Sequence, residues 1–211
     1  MRTLLLARHG QSVANASRRF QGSQDVPLSE LGRRQAAALG AALKSGRLSH
    51  VYSSPMERAR LTADAVVAAI GVPLTLVDDL RELSLGEWEG CTVDEIRARP
   101  GDPYTRWIRD PVQHVPPGGE PLAAVQERAL RAVEAIAAAH PDGDDVLVVS
   151  HGGLISAFLA HWLGMPLGSI WRLTVGNGSL SRVAPPRVLS LNETAHLAGV
   201  DVSAGGPGLS P

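Results

Sequence analysis

The sequence predicts an α/β protein built as a three-layer α/β/α sandwich with a mostly parallel central sheet. Two runs, Thr3-Leu4-Leu5-Leu6-Ala7 and Val146-Leu147-Val148-Val149, are continuously apolar rather than alternating, the pattern of strands buried on both faces. Segments with the apolar spacing of helices lie between and after them, and a sheet of this kind needs such a cover. The two runs also end alike, in Arg8-His9-Gly10 and in Ser150-His151-Gly152-Gly153. In open α/β sheets ligands bind outside the carboxyl ends of the strands. If the two strands are neighbours, His9 and His151 face each other across one crevice. Arg8 adds a planar guanidinium suited to clamping an anion. A helix starting at Gly152 adds backbone N–H groups with no partner inside the helix. Together these groups describe a phosphate site; the simpler alternative is two unrelated histidines at strand ends.

Taken in order, residues 10–24 are too polar for a core and read as a loop or helical turn over the mouth of the crevice. Asn15 and Gln21 carry amide donors suited to phosphate oxygens. Ser29 caps a helix with Leu31, Gln35, Ala38, Leu39 and Ala42 along one side, stopped by Gly46. His50 to Ser53 is a strand, followed by Ser54 as N-cap and Pro55 at the first position of a helix running to Ile70. Arg58 falls in the first turn, where the helix dipole prefers anions, so it is placed for an anion shared with that helix end. Arg60 is expected in solvent.

Leu74 to Val77 is a further short strand, and Thr92-Val93-Asp94-Glu95 is a capping box opening a short helix. The proline- and glycine-rich segment from Pro100 to Pro121 reads as a long loop of the kind that often forms a lid. Its Tyr104 and Trp107, with Trp88, either line a pocket or belong to the core. Pro121 to His140 is a long helix with Leu122, Val125, Ala129, Ala132, Val133 and Ile136 inward. A helix covering Leu154 to Leu163 follows His151. Ser169 to Arg172 and Ser179 to Val183 are expected as paired edge strands around Gly176-Asn177-Gly178.

The chain of 211 residues supports one domain, placed at 1–198, with a Gly/Pro/Ser-rich tail over 199–211 expected to be disordered. A net charge of −1 gives no global field for nucleic acid or a membrane surface. The single Cys91 excludes an internal disulfide and fits a reducing cytosol. No signal segment opens the sequence, and no apolar run approaches the ~18 residues of a membrane span. The expectation is a soluble cytoplasmic protein. Metal hydrolysis lacks its ligand spacing, since there is no His-x-His and no Asp cluster. Neither a P-loop nor Gly-x-Gly-x-x-Gly is present for a nucleotide.

Several blocks carry a resemblance. Leu6-Ala7-Arg8-His9-Gly10-Gln11-Ser12, with Asn15 and Gln21-Gly22, is similar to the opening signature of the histidine phosphatase superfamily, with its phosphoglycerate mutase-like fold. The likeness continues through Leu28 to Ala36, Ser53-Ser54-Pro55-Met56-Glu57-Arg58-Ala59, Leu80-Arg81-Glu82, Gly86-Glu87-Trp88-Glu89-Gly90 and Gly118-Gly119-Glu120. It ends at Val148 to Gly153. The resemblance implies that His9 is the nucleophile that takes up a phosphoryl group. Arg8, Arg58 and His151 would complete the phosphate pocket, with Asn15, Gln21 and the Gly152 N–H as further donors. Glu82 would protonate the leaving oxygen and then activate water. Pro121 departs from the Ser that many relatives carry there, which removes a possible hydroxyl donor.

On this basis the chain is expected to be a phosphomonoesterase of histidine acid phosphatase type, needing no metal or cofactor and acting on a small phosphorylated substrate. Phosphoryl transfer needs positioning and charge stabilisation above all, and two arginines and an imidazole supply the charge. The same cations disfavour protonation of His9, and a bound phosphate dianion offsets them at Glu82. The alternatives are a cofactor-dependent phosphoglycerate mutase and a non-catalytic binder of phosphorylated ligands. Leu83-Ser84-Leu85-Gly86 after the acid resembles the phosphatases, and His9, His151 and Glu82 are all present.

Overall fold

The computed structural model describes residues 1–141, 143–185 and 187–200. Its centre is the parallel pair β1 (Thr3–Arg8) and β4 (Asp145–Ser150), in register from Thr3 opposite Asp145 to Arg8 opposite Ser150. The two strand-end histidines therefore leave adjacent strands at the same level. Outside β4 lie β2 (Leu48–Ser53) and then β3 (Leu74–Leu76), both parallel. On the other side β5 (Leu180–Ala184) runs antiparallel to β1, and β6 (Arg187–Glu193) antiparallel to β5. Among the described residues the sheet has six strands in the order β3-β2-β4-β1-β5-β6.

The continuous apolar runs are divided between two faces because successive side chains on a strand point opposite ways. Leu4, Leu6, Val146 and Val148 pack with Val125, Ala129, Ile155 and Phe158, on α6 (Leu122–Ala139) and α7 (Gly152–Trp162). Leu5, Ala7, Leu147 and Val149 pack with Leu39, Ala59, Ala63 and Val66, on α2 (Glu30–Leu43) and α3 (Glu57–Ile70). These are the three layers. Each buried leucine or valine contributes roughly 1.5–3 kcal/mol of transfer free energy, so the central strands are held on both faces.

Local signals place most helix starts. Ser29 accepts the Gly32 N–H at 3.1 Å and opens α2. Thr92 and Glu95 form the expected capping box of α4 (Val93–Arg97). Ser12 and Asn15 form another at α1 (Val13–Ala16), in the loop after His9. At α3 the expectation fails. The helix begins at Glu57, and the Ser54 hydroxyl, which accepts the Met56 N–H at 3.3 Å and meets His151, reaches no N–H inside the helix. Asp25, from a loop 32 residues away, takes the N-cap role by accepting the Glu57 N–H at 2.6 Å.

The segment from Pro100 to Pro121 is not a structureless lid. It contains α5 (Pro103–Arg109), capped by Asp102. Tyr104 and Trp107 are buried against Phe20 and Trp88, with ring centroids 5.5 Å apart for Trp88 and Trp107. The aromatic residues thus belong to the core. Seven residues are too few to show a periodicity, which hid this helix. A second correction lies near the carboxyl end: residues 167–172 form a 3-10 helix, not a strand. β5 pairs with β1 and β6, so the edge position falls to β6. Within the expected tail, Gly199 and Val200 are described, with the Val200 N–H donating to Leu197 at 2.9 Å; the rest, 201–211, lies outside the described residues. No helix among the described residues is long and apolar enough to cross a membrane.

Candidate active site

His9 follows the last residue of β1 and is fixed from both sides. Its N–H donates to Ser150 of β4 at 2.9 Å. Its carbonyl accepts from the Gly178 N–H at 3.1 Å and from Asn177 Nδ2 at 3.2 Å. The imidazole is 2 % exposed. Its Nδ1 lies 2.6 Å from the Gly10 carbonyl oxygen, which can only accept, so Nδ1 carries the proton and Nε2 keeps its lone pair. The His151 ring stands 5.1 Å away, centroid to centroid, at 60°. The two histidines face each other as expected from parallel neighbouring strands.

His151 is wholly buried, with Nε2 2.8 Å from Ser54 Oγ and Nδ1 without a hydrogen-bond partner. Arg8 donates through Nη1 to the Val175 carbonyl at 2.6 Å. Arg58, wholly buried, donates through Nη1 to Gln24 at 2.7 Å and through Nη2 to Gly22 at 2.9 Å, both carbonyls of the loop after α1. The Nε–H of each arginine is buried with no partner. Thr62, one turn after Arg58, accepts from the Gly10 N–H at 3.1 Å and donates to the Arg58 carbonyl at 2.8 Å, tying α3 to the His9 loop.

Burial, reinforced by the charges of Arg58 and Arg8, holds His9 well below the usual imidazole pKa. His151 is lowered in the same way, first by burial and then by Arg58. Burial also lowers Arg8, to about 10, against the pull of Glu82, and lowers Arg58. An arginine at about 10 is still charged at neutral pH. The site thus combines two cations with two neutral imidazoles.

Glu82 is buried and bound by three backbone donors: Leu83 at 3.0 Å, Gly153 at 3.1 Å and Leu154 at 3.2 Å. The N-terminus of α7 was expected to offer its N–H groups to a ligand from Gly152 onward. Two of them, on Gly153 and Leu154, are taken by Glu82, and the start of the helix, at Gly152, lies beside the Arg8 guanidinium. A Cβ on Gly152 would lie 3.3 Å from Arg8 Cζ.

Of the two amide residues, Asn15 is linked to the centre through Asn177, whose Nδ2 reaches Asn15 Oδ1 at 3.1 Å as well as the His9 carbonyl. Gln21 is buried beside Gly22, its Oε1 without a partner. Arg60 pairs with Asp64 at the surface, as expected of a solvated residue. Ser54, Thr62 and Asn177 bond to residues of the site, and Glu89 bonds to the loops beside it, without having a site role in the sequence reading. Asn177 sits in a Gly-Asn-Gly turn visible in the sequence; Ser54 and Glu89 lie inside the quoted blocks, where Ser54 reads as a helix cap, and Thr62 lies just beyond one of them, with no local signal of its own. Among the described residues no group of three or more His, Cys, Asp or Glu side chains is placed to hold a metal ion.

Comparison with known proteins identifies the family. A profile of the histidine phosphatase superfamily (branch 1) matches residues 4–187. The glucosyl-3-phosphoglycerate phosphatase of Mycolicibacterium vanbaalenii is 38% identical over 189 residues, covering 87% of this chain and 83% of the relative. Phosphoserine phosphatase 1 of Hydrogenobacter thermophilus is 33% identical over 205 residues, covering 95% of this chain and 97% of the relative. Among solved structures, Bacillus stearothermophilus YhfR superposes with a TM-score of 0.86 at 36% identity, covering 92% of this chain and 98% of the other.

Proposed function

For a chain that belongs to the histidine phosphatase superfamily (branch 1), we propose metal-independent hydrolysis of a small phosphorylated metabolite through a phosphohistidine at His9. The observation that carries this reading is the pair of buried guanidinium donors without partners beside His9, Arg8 Nε and Arg58 Nε, with the unpartnered His151 Nδ1 on the same site. A buried donor left unpaired costs about 1–3 kcal/mol, and a tetrahedral dianion would satisfy both guanidinium groups. The names of the two relatives, one a glucosyl-3-phosphoglycerate phosphatase and the other a phosphoserine phosphatase, support a phosphorylated small molecule as substrate.

In this reading His9 Nε2 attacks phosphorus while the bond to the leaving oxygen breaks, and Glu82, as the carboxylic acid, gives that oxygen its proton. The resulting carboxylate then takes a proton from water as the water oxygen attacks phosphorus. The P–N bond breaks, and phosphate and neutral His9 are restored. Arg8, Arg58 and His151, with Asn15, Gln21 and the Gly152 N–H, hold the equatorial oxygens, where charge is spread in the transition state. The Gly10 carbonyl keeps the proton on Nδ1 so that Nε2 is the atom that reacts. Glu82 bound to the α7 N-terminus is held at one place relative to His151.

A screen of phosphomonoesters for phosphate release, run with excess chelator, tests the class and the independence from metal together. Wild-type protein is expected to turn over and to take an acid-labile phosphoryl label. His9→Ala should lose both, and turnover in that variant within about tenfold of wild type would rule out the covalent route. Offered 3-phosphoglycerate with catalytic 2,3-bisphosphoglycerate, the enzyme should release phosphate faster than it forms the 2-isomer; the reverse would make it a mutase.

A further inference from the structure

Resting on the phosphatase reading, we propose that Glu89 is a positioning residue that locks the loop seating Arg58 to the loop carrying Glu82. Its carboxylate joins two stretches that are otherwise distant in sequence. On one side Oε1 accepts the Ser23 N–H at 2.8 Å, and the Ser23 hydroxyl lies 2.8 and 3.0 Å from the two oxygens. On the other, Oε1 accepts the Leu85 N–H at 3.0 Å and the Ser84 hydroxyl at 3.3 Å.

Each side is one or two residues from a group of the site. Ser23 lies between Gly22 and Gln24, the two residues whose carbonyls hold the Arg58 guanidinium. Ser84 and Leu85 follow Leu83, whose N–H donates to Glu82. The approach is close enough to dictate its neighbour. Gly22 has φ +50°, and a Cβ there would lie 2.2 Å from Glu89 Oε1. The backbone around the carboxylate is also crossed by a short antiparallel contact, with Gly90 N–H donating to Phe20 at 2.7 Å and Phe20 N–H to Cys91 at 2.9 Å. The backbone contact places the two loops side by side, and the carboxylate sets their spacing at the end nearest the reacting atoms.

This division of labour separates Glu89 from a residue that only stabilises the fold. The aromatic cluster of Phe20, Trp88, Tyr104 and Trp107 already anchors both loops to the core. Loss of the carboxylate should therefore leave the protein folded while letting Arg58 and Glu82 shift relative to each other. A displacement on the order of 1 Å at a catalytic group can cost ~100-fold in rate.

The test uses the full chain with para-nitrophenyl phosphate, which has a good leaving group, and phenyl phosphate, which has a poor one. Inorganic phosphate serves as competitive inhibitor and as a calorimetric ligand. Glu89→Ala should lower kcat/KM by ~10–100-fold on phenyl phosphate, less on para-nitrophenyl phosphate, and should weaken inhibition by phosphate. Glu89→Gln, which keeps the Oε1 acceptor, should restore most of the loss. Glu89→Asp keeps the charge but is one methylene too short to span both loops, and it should behave like Glu89→Ala even if the alanine variant folds poorly. Wild-type values on both substrates and for phosphate in Glu89→Ala or Glu89→Asp would overturn the proposal, whatever the change in Tm. Were the wild type to bind phosphate without turnover, the phosphatase reading would fail by itself. Glu89 would then be decided by calorimetry, where phosphate binding equal to wild type in both variants overturns its role.

Discussion

Glu82 and Gly153 are joined by a 3.1 Å hydrogen bond from the Gly153 N–H to Glu82 Oε2, so the candidate acid is tied to the helix that begins beside His151. The contact tolerates no side chain at 153. A Cβ there would lie 2.7 Å from Glu82 Oε1 and 2.3 Å from Leu83 Cδ2. Gly153→Ala is therefore expected to displace Glu82 while leaving His9, Arg8 and Arg58 in place. Steady-state kinetics should show a loss in kcat that steepens with the pKa of the leaving group, and phosphate inhibition close to wild type. A uniform loss across leaving groups would place the damage elsewhere.

Arg58 is wholly buried and holds two carbonyls while keeping Nε unpaired. Arg58→Ala removes the proposed charged donor to phosphate, expected to be worth roughly 1.5–3 kcal/mol, or about 10–150-fold in kcat/KM. It also strands the Gly22 and Gln24 carbonyls, so a fall in Tm is expected alongside. An unchanged kcat/KM in a folded variant would show that Arg58 does not meet the substrate.

The pKa of His9 lies well below 6.5 because of burial first and the charges of Arg58 and Arg8 second. The His9 imidazole, the proposed nucleophile, therefore stays neutral where an ordinary histidine protonates, and the acid limb of kcat/KM should fall well below pH 6.5. Arg58→Ala should move that limb upward by part of the distance, since burial remains. The same shifts act on stability. Below about pH 6.5 the unfolded chain takes up protons at His9 and His151 that the folded chain refuses, so stability declines as the pH falls and goes on declining to the folded pKa values. Chemical denaturation at pH 7 and pH 5 measures this, and the His9→Ala variant should lose less between the two.

Trp107 is 1 % exposed and packs against Phe20, Trp88, Tyr104 and Trp171. Trp107→Ala should destabilise the fold by about 3–5 kcal/mol, as large core truncations do. The substrate KM of the protein that remains folded should be nearly unchanged, because this ring packs in the core. A large KM effect without loss of stability would return Trp107 to the substrate pocket.

Much of the fold was legible because its signals are local. The continuous apolar runs of β1 and β4, the caps at Ser29 and Thr92 and the periodicity of α6 each act over a few residues, and their physics is complete within the segment. The facing positions of His9 and His151 follow from the parallel pairing of the two strands that they end. α5 was missed because its evidence is the partners of its aromatic rings, and strand status was misassigned at residues 169–172 because a short apolar segment suits either form.

By itself, then, the sequence determined which residue types stand at the ends of the central strands and at the starts of the helices, since backbone geometry and capping are settled between near neighbours. Only the tertiary structure decided how those residues are tied together: Glu82 on the α7 N-terminus, Arg58 on the carbonyls of Gly22 and Gln24, Asp25 as the remote cap of α3. These bonds join atoms that are 32 to 71 residues apart along the chain. Such pairings carry no periodic pattern, because a buried donor donates to any acceptor the packed layers bring within 3 Å or so, and the layers are a property of the whole chain.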